Sequence, residues 1–262
     1  MNISDEEFQL KQRLCDLVRG SSERYTPGFT KFLDGADLAF AQNFVNSSPG
    51  CIAFCFGGFP NAQRCVVGVF PSEIYDVSVT SDDEFRSMFE LTGIYIKGSG
   101  YRKFTHRDIL GSLLALGIRR ETVGDICVSE DSFSAYVAVV DSVAQFLCES
   151  LDFIGNDKVK VTSVDVCSLP EIKREYRMIT GTVASFRLDC VVSLCTGLSR
   201  EKSKKLVDSG FVSVNHRETD RCDIVISEND MLSVRGHGRF VVFETGDVTK
   251  KGRNRIVIGK LI

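Results

Sequence analysis

Apolar positions along this chain recur with helical and strand periods, and the changes between the two divide it. Over residues 4–20 Phe8, Leu14, Cys15, Leu17 and Val18 make a helical stripe, with Ser4 as the cap and Glu7 as its partner three positions on. After a turn at Pro27-Gly28, residues 34–47 predict a second helix with Leu38, Ala41, Phe44 and Val45 inward. Apolar runs at 51–56 and 65–70 flank Gly57-Gly58-Phe59-Pro60-Asn61 and predict a hairpin. From residue 89 the periods alternate: strand 89–97, helix 105–116, strands 124–129 and 133–140, helix 141–151 and strand 158–166. This β-α-β-β-α-β order predicts a ferredoxin-like plait. Further on, Leu188, Val191, Val192 and Cys195 share one helical face that Gly197 ends. Ser199 caps a helix over 199–209 with Ser203, Leu206 and Val207 inward, and strands follow at 211–215, 231–235 and 256–258. The class is α+β, in three domains: helices with a hairpin over 1–72, the plait over 73–170, and a C-terminal domain over 181–262.

Charge sharpens that division. Residues 1–170 hold 15 Lys+Arg against 23 Asp+Glu, whereas residues 171–262 hold 17 against 12. A basic segment behind an acidic body is the footprint of a polyanion-binding module. No apolar run approaches the ~20 residues that span a bilayer, and the polar, acidic start MNISDEEFQLKQ is no secretory signal. The ten cysteines are scattered through apolar runs without a C-x-x-C pair, so buried free thiols in a reducing cytosol are expected, with no metal and no cofactor. Gly57-Gly58 lacks the lysine and helix start of a phosphate-binding loop.

The basic part carries an ordered motif: Arg187-Leu188-Asp189, Ser199-Arg200, Leu206-Val207, Gly210-Phe211-Val212-Ser213-Val214-Asn215, then Asn229-Asp230-Met231-Leu232-Ser233-Val234-Arg235-Gly236. It resembles the S4 RNA-binding domain, with two departures. Asn229 stands where glycine is usual, and Asn tolerates the left-handed turn; His216 stands where glycine often follows Asn215. The resemblance implies RNA contacts at Arg187, Ser199, Arg200, Lys202, Lys204, Lys205, Asn215, Arg217, Arg235, His237 and Arg239. Residues 98–126, with T-H-R-D-I-L-G and L-G-I-R-R-E-T-V-G-D-I, add a resemblance to the bacterial YlmH proteins that covers nearly the whole chain. That resemblance implies a cytoplasmic factor that binds ribosomal RNA and tRNA on the large ribosomal subunit during rescue of stalled nascent chains. It also implies a link to cell-division genes. A monomer is expected. The Gly-rich basic loop over 98–108 leads into a helix start and offers a possible second RNA contact at Arg102, Lys103, His106 and Arg107.

Two other classes stay open at this point. Pseudouridine synthases often carry an S4 domain and use the Asp of a G-R-L-D motif; here Phe186 replaces the glycine, and too few residues follow for a catalytic domain. The three histidines, His106, His216 and His237, make no triad or metal spacing, so a non-enzyme is expected. The last class is a cell-division adaptor whose basic face binds an acidic protein.

Overall fold

The computed structural model describes residues 5–215, 217–249 and 252–262. Expectations placed on Ser4, the Glu7 side chain, His216, Lys250 and Lys251 lie outside the described residues. The chain forms two compact units, Met1–Ile172 and Lys173–Ile262.

The first unit begins with α1 (Asp5–Arg24), β1 (Gly28–Phe29), β2 (Leu33–Asp34), α2 (Gly35–Asn46), β3 (Cys51–Phe56), β4 (Arg64–Pro71) and α3 (Asp82–Ser87). The predicted hairpin is β3 with β4, and β4 also pairs with β1 and β2. That makes β4 the centre of its sheet, and all eight of its residues are buried. Leu14 of α1 and Ala41 and Val45 of α2 pack on Val67 and Val69. Pro27-Gly28 is not the predicted turn: Gly28 pairs with Val69 in β1. The chain runs close to α1 there, since a Cβ on Gly28 would lie 2.9 Å from the end of the Leu17 side chain.

The plait follows as β5 (Leu91–Gly98), α4 (His106–Ala115), β6 (Val123–Val128), β7 (Ser134–Val140), α5 (Asp141–Ser150), β8 (Phe153–Ile154) and β9 (Asp157–Val164). The strands pair antiparallel in the order β6-β7-β5-β9-β8, the arrangement of a β-α-β-β-α-β plait with one short strand added at the edge. Alternation sends Ile94, Ile96, Ala135, Val137 and Val159 toward α4 and α5, where Ile109, Leu113, Ala144 and Leu147 meet them. The opposite face receives Phe32, Phe56, Phe59 and Phe70 on Leu91, Ala138 and Val140. Residues 1–72 and 73–170 therefore share a hydrophobic cluster within one compact unit.

The second unit contains β10 (Tyr176–Val183), α6 (Leu188–Thr196), α7 (Arg200–Asp208), β11 (Val212–Val214), β12 (Arg217–Glu218), β13 (Met231–Val234), β14 (Gly238–Val248) and β15 (Asn254–Leu261). They make a six-stranded antiparallel sheet in the order β10-β15-β14-β13-β11-β12. Leu188, Val191 and Val192 of α6 and Val207 of α7 pack on Val212, Leu232, Phe240, Val242, Ile256 and Ile258 of the sheet. Gly197 ends α6 at φ +72°, the left-handed stop expected of it. Residues 176–183 form a full edge strand because they find their partner in β15 at the far end of the chain.

All ten cysteines are free thiols. Cys15 and Cys167 are exposed rather than buried as expected, while burial pushes Cys65 and Cys195 up to about 12. No helix among the described residues is long and apolar enough to cross a membrane.

Arg64 is the cation that ties the hairpin to the plait. Its buried side chain donates to the carbonyls of Val123 at 3.1 Å and of Phe32 and Arg120 at 3.3 Å, and it pairs with Asp34. Arg64→Met should take the donor from the Phe32 carbonyl and one of the donors from those of Val123 and Arg120, at a cost of about 1–3 kcal/mol. A chemical denaturation curve of the full chain checks this; a midpoint equal to the parent's would remove Arg64 from the account.

Candidate nucleic-acid interface

The motif residues of the second unit are organised by a single carboxylate. Asp189 lies in the first turn of α6, and its side chain is only 4% exposed. Arg187 Nε donates to its Oδ1 at 3.2 Å, and Arg200 Nε donates to its Oδ2 at 2.8 Å. Each oxygen thus receives one guanidinium, while both arginines keep part of their surface in solvent. Burial pushes the Asp189 carboxyl up, but the hydrogen bonds and charges of Arg200 and Arg187 outweigh it and hold the group below the usual carboxylate range. The backbone fixes the same corner. Leu188 N–H donates to the Ile224 carbonyl at 2.8 Å, and Arg187 bridges to Val225.

From this corner α7 runs outward. Ser199 Oγ accepts from Lys202 N–H at 3.4 Å and caps it. Ser203 and Val207 are fully buried and Leu206 packs half-buried on the core, so Arg200, Lys202, Lys204 and Lys205 are left on the exposed side. Lys205 pairs with Glu201 at 3.4 Å, one turn away. Beside the helix start lies a shallow depression walled by Arg187, Arg200, Lys204 and Arg221, and also by Asp189, Glu201, Asp220 and Asp223. The cations there are matched by carboxylates, and Arg221 is engaged by Asp223 at 3.0 Å. Outside the depression Lys202 and Lys205 add exposed cations to α7, so four cations, Arg200, Lys202, Lys204 and Lys205, stand on that helix against Glu201 and Asp208.

Asn215 and Asp230 of the motif are bonded to each other. Asn215, at φ +48°, donates through Nδ2 to Asp230 Oδ1 at 2.7 Å and accepts from Met231 N–H at 2.9 Å. Asp230 Oδ2 in turn accepts from Ser227 N–H at 2.8 Å. Both ends of the Asn215 amide are occupied within the protein, so its motif position closes the turn before β13. Asn229 adopts the left-handed conformation foreseen for it, at φ +68°. Arg235 lies over the Phe211 ring at 5.2 Å, a cation–π contact on an exposed aromatic. Arg217 and Arg239 are exposed on β12 and β14, and His237 is half-buried in the turn between β13 and β14.

The basic loop of the plait is a separate group in the first unit. Thr105 caps α4 in a capping box with Asp108, whose carboxylate accepts from Thr105 N–H at 3.0 Å and from its hydroxyl at 2.7 Å. The protein's own carboxylate therefore already sits at the helix start that was expected to attract an anion. Arg102 reaches the same Asp108 at 2.9 Å. Lys103, His106 and Arg107 are exposed beside it. No group of His, Cys, Asp and Glu among the described residues could hold a metal ion.

A family model described as "Putative RNA-binding domain in YlmH" matches residues 86–168, which cover the plait. The ribosome-associated protein quality control protein P2 of Bacillus subtilis (strain 168) is 31% identical over 255 residues, covering 96% of this chain and 94% of that protein. Among solved structures, cell division protein ylmH from Streptococcus pneumoniae matches with a TM-score of 0.49 at 18% identity, covering 63% of this chain and 94% of that one.

The depressed Asp189 carboxyl makes stability depend on pH in one direction. Its pairing stabilises fully above the unfolded carboxyl value of about 4 and is lost as pH falls through the lower folded value. Asp189→Asn should be less stable than the parent at neutral pH by about 1–3 kcal/mol. The gap should narrow below about pH 4, as the parent carboxyl itself takes up a proton. Melting curves across that range check this, and a gap independent of pH would contradict the ionic role.

Proposed function

Given that the chain belongs to the YlmH family, we propose that it is a non-enzymatic RNA-binding factor of the ribosome. It would bind ribosomal RNA and tRNA on the large subunit, in the rescue of stalled nascent chains. It would act in the cytoplasm, as a monomer and without a cofactor. Residues 181–262 would be an S4 domain, and α7 its phosphate-binding helix. The observation that carries this reading is the exposed row Lys202, Lys204 and Lys205 beside Arg200, on a helix whose opposite side is locked into the core. Lysines act there as flexible point charges, and the part of Arg200 not held by Asp189 offers planar donors to phosphate oxygens. The family description of residues 86–168 supports RNA as the ligand, and the name of the Bacillus relative supports a ribosome-associated role.

The buried state of Asp189 argues against the pseudouridine synthase reading. Both of its oxygens are bound by arginines and almost none of its surface is open, so it has no route to a uridine ring.

Arg200 is unsuited to charge reversal, because a carboxylate there would face Asp189. The cleaner variant is Lys202→Glu with Lys204→Glu and Lys205→Glu. These side chains are exposed, so folding stability should stay within about 0.5 kcal/mol of the parent. Each lysine–phosphate interaction removed should flatten the dependence of log K on log salt by about 0.7–0.9. Low-salt affinity for ribosomal RNA should fall at least about tenfold. Titrations at several salt concentrations measure both quantities. Unchanged affinity and slope would take α7 out of the interface.

A further inference from the structure

The sheet of the plait has two faces with different fates. One face is sealed by α4 and α5. The other is covered only in part: Phe32, Phe56 and Phe59 close over the rows containing Leu91, Ala138 and Val140. Beyond them, two central-strand positions come into register, Tyr95 of β5 directly opposite Tyr136 of β7. Their rings lie 4.8 Å apart with planes at 37°, and both are half-buried rather than sealed. Tyr136 rests against the phenylalanine cluster, which fixes its position. Alternation puts the next residue on the same face at Lys97, which pairs in register with Lys160 of β9 and with Ser134 of β7. Lys97 and Lys160 are both exposed.

The loop that follows β5 rises from this same end of the sheet. It carries Arg102 and Lys103, and it is tied to the β6–β7 turn by Gly98 N–H to the Phe133 carbonyl at 2.9 Å and Phe104 N–H to the Ser132 carbonyl at 2.6 Å. Among the nearby carboxylates, Asp157 is buried and turned to Ser99, and Asp108 is engaged by Arg102 and the helix cap. Glu130 and Asp131 lie at the β6–β7 turn itself. Lys97, Lys160, Arg102 and Lys103 thus put exposed cations at this end of the sheet, with Glu130 and Asp131 as exposed carboxylates on the turn, within a first unit that is otherwise acidic.

We propose that Tyr95 and Tyr136 form a stacking platform for two unpaired bases of single-stranded RNA, with Lys97 and Lys160 on its phosphates. The proposal rests on RNA being the ligand of this chain and adds a second RNA surface on the plait, apart from α7. Unpaired bases stack on aromatic rings whatever their sequence, and neighbouring cations follow the backbone, so the pairing of two adjacent rings with two adjacent lysines fits a single strand. A duplex buries its base faces and cannot use the rings. An acidic peptide would use the lysines and gain little from the rings.

The test uses the full chain and a short single-stranded RNA containing 2-aminopurine, beside a duplex of the same sequence. Saturating protein should change the 2-aminopurine fluorescence of the single strand and leave the duplex unaffected. Tyr95→Leu with Tyr136→Leu keeps apolar cover while removing the rings. It should weaken single-strand binding by about tenfold or more per ring, with little change in the salt slope or in duplex binding. Tyr95→Phe with Tyr136→Phe keeps both rings and should bind within about twofold of the parent. Single-strand affinity that survives the Leu pair, or a single strand bound without any fluorescence change, overturns the platform and leaves the α7 reading standing. A parent chain that binds no RNA of any kind overturns both. Retained ring dependence with an acidic peptide in place of RNA would assign the face to a protein partner instead.

Discussion

A carboxylate shut away from water is costly unless it is paired, and Asp189 meets that constraint with two arginines. The consequences spread through the second unit. Arg187 lies just before α6 and Arg200 opens α7, so satisfying one side chain fixes how the two helices begin relative to each other. The backbone of residues 187–189 is held at the same time by residues 222–225. With that corner set, Val207 must point into the core and the lysines of α7 must point out. The basic surface is thus a by-product of how a buried acid is neutralised, and its cations are held on a rigid helix rather than on a loop.

Local chemistry was readable from the sequence where it acts over a few residues. Thr105 with Asp108, Ser199 with Lys202 N–H, and Gly197 in the left-handed region are all short-range devices, and each stands where its residue type required. Period-2 runs gave the plait for the same reason, since its strands are buried and strongly apolar. The α3 helix also had a readable start, Ser81 accepting from Glu84 N–H at 3.2 Å, but it is short and mostly acidic. What stayed hidden depends on distant partners. β10 is half polar and becomes a strand only by pairing with β15, Tyr176 opposite Leu261. β1 and β2 are two residues each and exist because β4 offers them an edge. The bond between Asp189 and Arg200 spans 11 residues and two helices, so the R-L-D triplet alone reads as no more than a helix start. Asn215 belongs to the same group: its side chain bonds Asp230 and Met231, 15 and 16 residues away.

The plait shows how a common fold can be specialised by what is laid on it. A sheet with one face open is a ready stacking surface, and here aromatic residues of the N-terminal segment cover part of that face. Only the end bearing Tyr95, Tyr136 and Lys97 is left, close in sequence to the basic loop.

The central claim is that RNA meets this protein through the α7 face of the second unit. Zero-length ultraviolet cross-linking of the full chain to purified large ribosomal subunits, with mass-spectrometric mapping of the modified peptides, addresses it most directly. The account predicts cross-links to ribosomal RNA on peptides spanning Arg187 to Lys205. Cross-links confined to the first unit, with none on those peptides, would contradict it.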